Sequence, residues 1–155
     1  MSRIIVNTVV ACSLLQAGLA TAQSATDRPA VEKQIVANEK AIIDAILKND
    51  PKTFHSYGVP DGGAGLGDHG PNKAEDFDKI MSQMKVDCTF AKVELAESTF
   101  YWFNDITVVH MFKENLDGTC QGQRLPAAVW SSTVWTNQGG KWLSAFHQAK
   151  RRRLA

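Results

Sequence analysis

A change of period midway along the chain most constrains what it can fold into. Between Asp27 and Met84 apolar residues recur at helical spacings. From Val86 onward β-branched and aromatic residues take over, in runs broken by turn signals. Helices gathered ahead of a run of strands specify an α+β architecture, with the helices lying on one face of a curved antiparallel sheet. At 155 residues and 44% hydrophobic content, the chain can bury one ordinary core, and a second domain would leave too little sequence for either.

Asp27 and Pro29 open the first helix, and Val31, Ile35, Ile42 and Ile46 follow at spacings of four and seven, with Ile43 and Leu47 widening the stripe. Asn49-Asp50-Pro51 stops it. Asp50 can cap and Pro51 can open a short second helix to about Tyr57, with Phe54 and Tyr57 facing inward. From Gly58 to Pro71 Gly, Pro and Asp dominate without apolar periodicity, which reads as a mobile loop. Asn72, with Glu75 three residues on, is the expected cap of a third helix whose buried face carries Phe77, Ile80, Met81 and Met84. Four strands follow, at about Cys88 to Phe103, Ile106 to Asn115, Gln121 to Asn137 and Lys141 to Lys150. Asn104-Asp105, Asp117-Gly118 and Gly139-Gly140 are the candidate turns.

The first 22 residues stand apart from this pattern. Arg3 is their only charge, an apolar run from Ile4 to Leu19 is interrupted by Asn7, Ser13 and Gln16, and Ala20-Thr21-Ala22 precedes Gln23. This is the form of a cleaved secretory signal peptide, which sends residues 23–155 to the periplasm or outside the cell. The apolar stretch falls short of the roughly 20 residues that span a bilayer, so no membrane association is expected after cleavage. Val9-Val10-Ala11-Cys12 resembles a lipoprotein box, but only a very short apolar stretch precedes it. Cleavage leaves 16 of the 17 Lys and Arg residues against 16 Asp and Glu. Such a balanced chain lacks the long-range attraction that dominates nucleic-acid binding, and the basic cluster from Lys150 to Arg153 reads as a solvated tail.

Val134-Trp135, a turn containing Gly139-Gly140, Lys141-Trp142 and a strand ending at His147-Gln148 resemble the terminal hairpin of SnoaL-like and calcium/calmodulin-kinase-association-type domains. The order of a long helix, a short one, a Gly-rich loop, a third helix and a long meander resembles the nuclear-transport-factor-2-like fold as a whole. The likeness runs from about Val31 to Ala149. It implies a sheet wrapped into a cone, with three helices on the concave face and a pocket between. Members include isomerases, hydrolases, dehydratases, oligomerisation modules and domains of no known activity, so the fold alone names no reaction. In such domains the face bearing the two tryptophans is the concave one. Counting alternate residues through the turns then puts Tyr101, His110, Ser131, Thr133, Trp135, Trp142, Ser144 and Gln148 in an aromatic-walled ligand site, and His147 on the other face. In the same meander the start of the first long strand and the second turn meet at one end of the sheet. A Cys88 to Cys120 disulfide is therefore expected in an oxidising compartment.

His110, mid-strand among Ile, Val and Phe, is a candidate acid or base as well as a candidate core histidine, and the sequence names no carboxylate partner for it. Steroid isomerases of this fold use an inward Tyr with an acid and a base carboxylate. Here the first helix has no Tyr and an Ile stripe, a departure from that pattern. Gly65-Leu66-Gly67-Asp68-His69-Gly70 has dinucleotide-fingerprint spacing but lacks the preceding strand and crossover unit. Asp61, Asp68 and His69 could rim the pocket or belong to a solvated loop. No zinc-type ligand spacing and no Ser-His-Asp or Cys-His arrangement is present, so neither metal nor cofactor is expected. Three readings follow. One is an exported binder of a small, largely apolar molecule. Another is an enzyme using His110 or Tyr101 as acid or base. The third is a homodimeric scaffold with a vestigial pocket, whose interface is the outer sheet surface around Trp130, Val134 and Leu143.

Overall fold

The computed structural model describes residues 26–66 and 71–150. The first 22 residues expected to form a leader, Cys12 among them, the Gly67-Asp68-His69-Gly70 part of the fingerprint-like run and the arginines at 151–153 lie outside them. Helix α1 (Arg28–Lys48) starts where Asp27 accepts a hydrogen bond from the Ala30 amide, and it ends where Asn49 turns left-handed and bonds back to Ala45 and Ile46. Asp50 caps the short helix α2 (Pro51–Ser56) through the Thr53 amide. Both starts follow the sequence expectation, because a side-chain oxygen satisfies one otherwise orphaned amide and Pro needs none.

The next segment departs from it. Gly58 to Pro71 is not simply a loop: β1 (Gly58–Leu66) runs parallel to the last strand, and β2 (Pro71–Lys73) pairs with β1 at the sheet edge. Main-chain pairing at an edge requires no apolar period, so composition hid these strands. Asn72 therefore lies in β2 opposite Ala64 rather than capping a helix, and α3 (Phe77–Asp87) begins only after a single 3-10 turn at Ala74–Asp76.

The remaining strands are β3 (Cys88–Asn104), β4 (Thr107–Cys120), the short β5 (Gln123–Arg124), β6 (Ala128–Gln138) and β7 (Lys141–Lys150). They form one sheet in the order β2-β1-β7-β6-β4-β3, with β5 added beside β4. The architecture is α+β, as expected, and the sheet curls strongly around the helices. Three register shifts between β3 and β4 bend the long first hairpin, since each extra residue increases local twist. Gly139 and Gly140 make the expected tight turn, both at positive φ. Asp117-Gly118 does not turn; the chain continues to Cys120 and reverses at Gln121-Gly122, both again at positive φ. Gly118 serves a different need, because a Cβ there would run into the Thr89 carbonyl oxygen across the hairpin.

Helix α1 lies in the hollow and grades it from one end to the other. At the narrow end Ile35 packs with Val108, Trp135 and Trp142, all fully buried, and Trp102 meets Trp142 edge to face. Burying each such side chain contributes about 2 kcal/mol or more. The Trp102 indole donates to Glu32 at 2.8 Å, and Arg28 covers its ring, so the start of α1 is fastened to the β3-β4 turn. Toward the other end residues of α2 and α3 join α1 and the sheet in lining the hollow, with Phe54 stacked on Phe77.

Candidate functional site

Midway along the hollow sits a sealed polar layer. Glu39 on α1 is 2% exposed, and one of its carboxyl oxygens accepts the Trp135 indole N–H at 3.0 Å. The same oxygen lies 3.5 Å from Nδ1 of His110, while Nε2 of that ring is 3.0 Å from the Ser98 hydroxyl. Whichever tautomer the ring takes, it faces a carboxylate on one side and a hydroxyl on the other. Phe100 and Phe112 sandwich it with centroids at 4.5 and 4.6 Å. His110 is 0% exposed and does not line the open part of the hollow. It belongs to the enclosed layer, where Nδ1 approaches Glu39 without completing a hydrogen bond.

Beyond this layer the cone opens into a cavity of about 630 Å³. Its walls are apolar: Ile42 and Ile46 of α1, Phe77 and Met81 of α3, and Val93 and Val129 of the sheet are among them. Four polar side chains from the sheet and the first helix reach its surface, Glu39, Glu114, Thr133 and His147, and Ser144 lies beside them. Thr133 Oγ1 and His147 Nδ1 are 3.0 Å apart. Burial pushes the Glu114 carboxyl above the usual glutamate range, and nearby Glu39 adds to the rise; His147 and the Ser131 hydroxyl oppose it. Ser131 Oγ is itself enclosed and completes no hydrogen bond of ordinary geometry, though it is close enough to Glu114 to weigh toward the ionised form. At the rim His55 pairs with Asp78 at 2.6 Å.

A raised carboxyl pKa means that the folded state favours the protonated form. Its stabilising contribution is therefore full below the unfolded-chain pKa and is lost as pH rises through the folded value. Glu114→Gln is expected to melt with the parent near pH 4 and above it at pH 8. Thermal melts across that range check this, and parallel curves would contradict it.

The eight side chains expected in the site divide three ways. Thr133 and Ser144 line the cavity. His110, Ser131, Trp135 and Trp142 face inward but are sealed in the core. Tyr101 and Gln148 are on the outer face, and Tyr101 is 54% exposed. Two bulges explain these corrections. An extra residue at Phe103 swaps the faces of β3, so Phe100 and Trp102 point inward in place of Thr99, Tyr101 and Phe103. A second at Ala145 swaps the end of β7: Phe146 pairs with Val134 and Gln148 with Ser132 outside, while His147 turns inward beside Thr133. Cys88 and Cys120 sit opposite each other in the β3-β4 register, joined by a disulfide, and both border the cavity. Among the described residues no group of His, Cys, Asp and Glu is placed to hold a metal ion, and no helix is long and apolar enough to cross a membrane.

No family model and no curated protein matches this chain in sequence. Solved structures do match in shape. A nuclear-transport-factor-2-like protein from Cytophaga hutchinsonii superposes with a TM-score of 0.66 at 17% identity, over 77% of this chain and 97% of that one. The fold is nuclear-transport-factor-2-like. A candidate dehydratase of that type from Streptomyces avermitilis gives a TM-score of 0.68 at 14% identity, over 83% of this chain and 99% of its own. A candidate calcium/calmodulin-dependent protein kinase II association domain from Xanthomonas campestris gives 0.62 at 15%, over 79% and 89%. At these identities the nuclear-transport-factor-2-like likeness speaks for architecture, and the chemistry must be argued from this chain's own cone.

Proposed function

We propose that this chain is an exported binding domain that holds a small, largely apolar molecule in the wide half of its cone. The observation that carries this reading is the cavity itself. Its roughly 630 Å³, with aliphatic and aromatic walls and a few convergent polar groups, fits the usual form of a small-molecule site. The leader-like first 22 residues and the Cys88–Cys120 bond support export, since such bonds persist in oxidising compartments. The test is uptake of the neutral dye Nile red, followed by fluorescence. The parent is expected to bind it, and Ile46→Trp, which fills the space beside α1, is expected to weaken binding at least tenfold. Equal uptake by the two proteins would sink the reading.

An acid-base enzyme is the second reading, and a specific observation favours moving it away from His110 and Tyr101. Glu114 and His147 reach the cavity, with the carboxyl held toward its neutral form by burial. Turnover lost in Glu114→Gln with binding retained would favour it over simple binding.

The outer sheet surface supports self-association as a further role. Tyr101, Val109, Val134 and Phe146 form a continuous apolar row across four strands, with Trp130 and Met111 exposed nearby. Sedimentation of the parent as a dimer and of Trp130→Glu as a monomer is the expected outcome. A monomeric parent would rule the role out.

A further inference from the structure

The described lining of the cavity has carboxyl groups but no strong base: it holds Glu39 and Glu114, and neither Lys nor Arg. The basic side chains on its wall are imidazoles already engaged, His55 with Asp78 and His147 with Thr133. Glu39 has an oxygen committed to the Trp135 indole within the core. Glu114 has no such arrangement. It borders the cavity among apolar walls, drawn toward ionisation by His147 and the Ser131 hydroxyl and away from it by burial and Glu39, with neither Lys nor Arg on the described wall to offset its charge. A bound cation would supply that missing partner. A bound carboxylate or phosphate would add a like charge in a desolvated space.

Resting on the binding reading above, we propose that the cavity selects small apolar molecules bearing a protonated amine, the ammonium seated against Glu114 and the hydrocarbon against Ile42, Ile46, Met81 and Val129. The ammonium brings three N–H donors. The Glu114 carboxylate, the Thr133 hydroxyl and an imidazole nitrogen of His147 are groups able to accept them. The enclosed Ser131 hydroxyl, without a completed bond of its own, is a further group that ordering of Glu114 would satisfy.

The experiment compares three probes of one shape and different charge by calorimetric titration at pH 7.5: 1-naphthylmethylamine, 1-naphthalenemethanol and 1-naphthoic acid. The amine is expected to bind at least tenfold more tightly than the alcohol, and the acid least. Glu114→Gln should cost the amine about tenfold, whereas Glu94→Gln, the same charge change on an exposed position of β3, should cost nothing. The alcohol or the acid binding as tightly as the amine would overturn the charge selection while leaving apolar binding intact. Loss of amine binding equally in Glu94→Gln would overturn the seat at Glu114. Failure of all three probes in a protein that still takes up Nile red would overturn the amine proposal alone, whereas failure of Nile red too would remove the binding reading beneath it.

Discussion

Glu39→Ala is expected to destabilise the domain by about 3 kcal/mol, from an orphaned buried indole donor together with the void the side chain leaves. The change leaves the Trp135 indole N–H without its acceptor and His110 without the carboxylate at 3.5 Å, both in fully enclosed surroundings. It also opens a void where the sealed layer meets the cavity. For a domain of this size the loss corresponds to a fall in Tm of roughly 10 to 15 °C. Glu39→Gln keeps an oxygen for Trp135 and should lose only about a third as much, on the ordinary worth of a neutral hydrogen bond against a charged one. Urea denaturation of the three proteins measures the difference. A Glu39→Ala protein within about 0.5 kcal/mol of the parent, the size of an ordinary surface change, would show that the layer is not a structural unit.

The second large effect belongs to the disulfide. Cys88 and Cys120 are 32 residues apart in sequence, and closing a loop of that length removes enough unfolded-state entropy to stabilise the fold by about 3 to 4 kcal/mol. Cys88→Ala with Cys120→Ala should lose that amount, and reductant should lower the Tm of the parent but not of the variant. The loss also reaches the cavity, because Cys88 is where α3 hands over to β3 and both sulfurs border the wall. Gln121 still ties the end of α3 through its bonds to Asp87, so the helix should loosen rather than detach. Nile red affinity therefore falls on reduction while circular dichroism keeps its helical signal. A reduced parent that melts with the oxidised one would contradict this account.

Much of the fold was legible because helices and half-buried strands carry their periods openly. Ile35, Ile42 and Ile46 face the sheet as their spacing requires, and Val108, Phe112 and Trp135 share the inner face. Glu39 was legible too: it falls four residues after Ile35 and three before Ile42, a charge set into an apolar stripe. Glu114 continues the alternation of His110 and Phe112 on β4 and needed only one more step of the same count. His147 was not legible in this way. Its inward turn depends on a bulge at Ala145, and a bulge is a backbone event with no side-chain period to announce it. The same limit misplaced Tyr101. The parallel strand β1 was hidden for a related reason, since glycines pairing through main-chain groups leave no hydrophobic pattern.

Native mass spectrometry of the protein purified from its own host tests the central claim most directly. The account predicts a single small-molecule adduct on the folded parent, absent after denaturation and absent from Ile46→Trp. A folded parent that always flies at the bare polypeptide mass would contradict it.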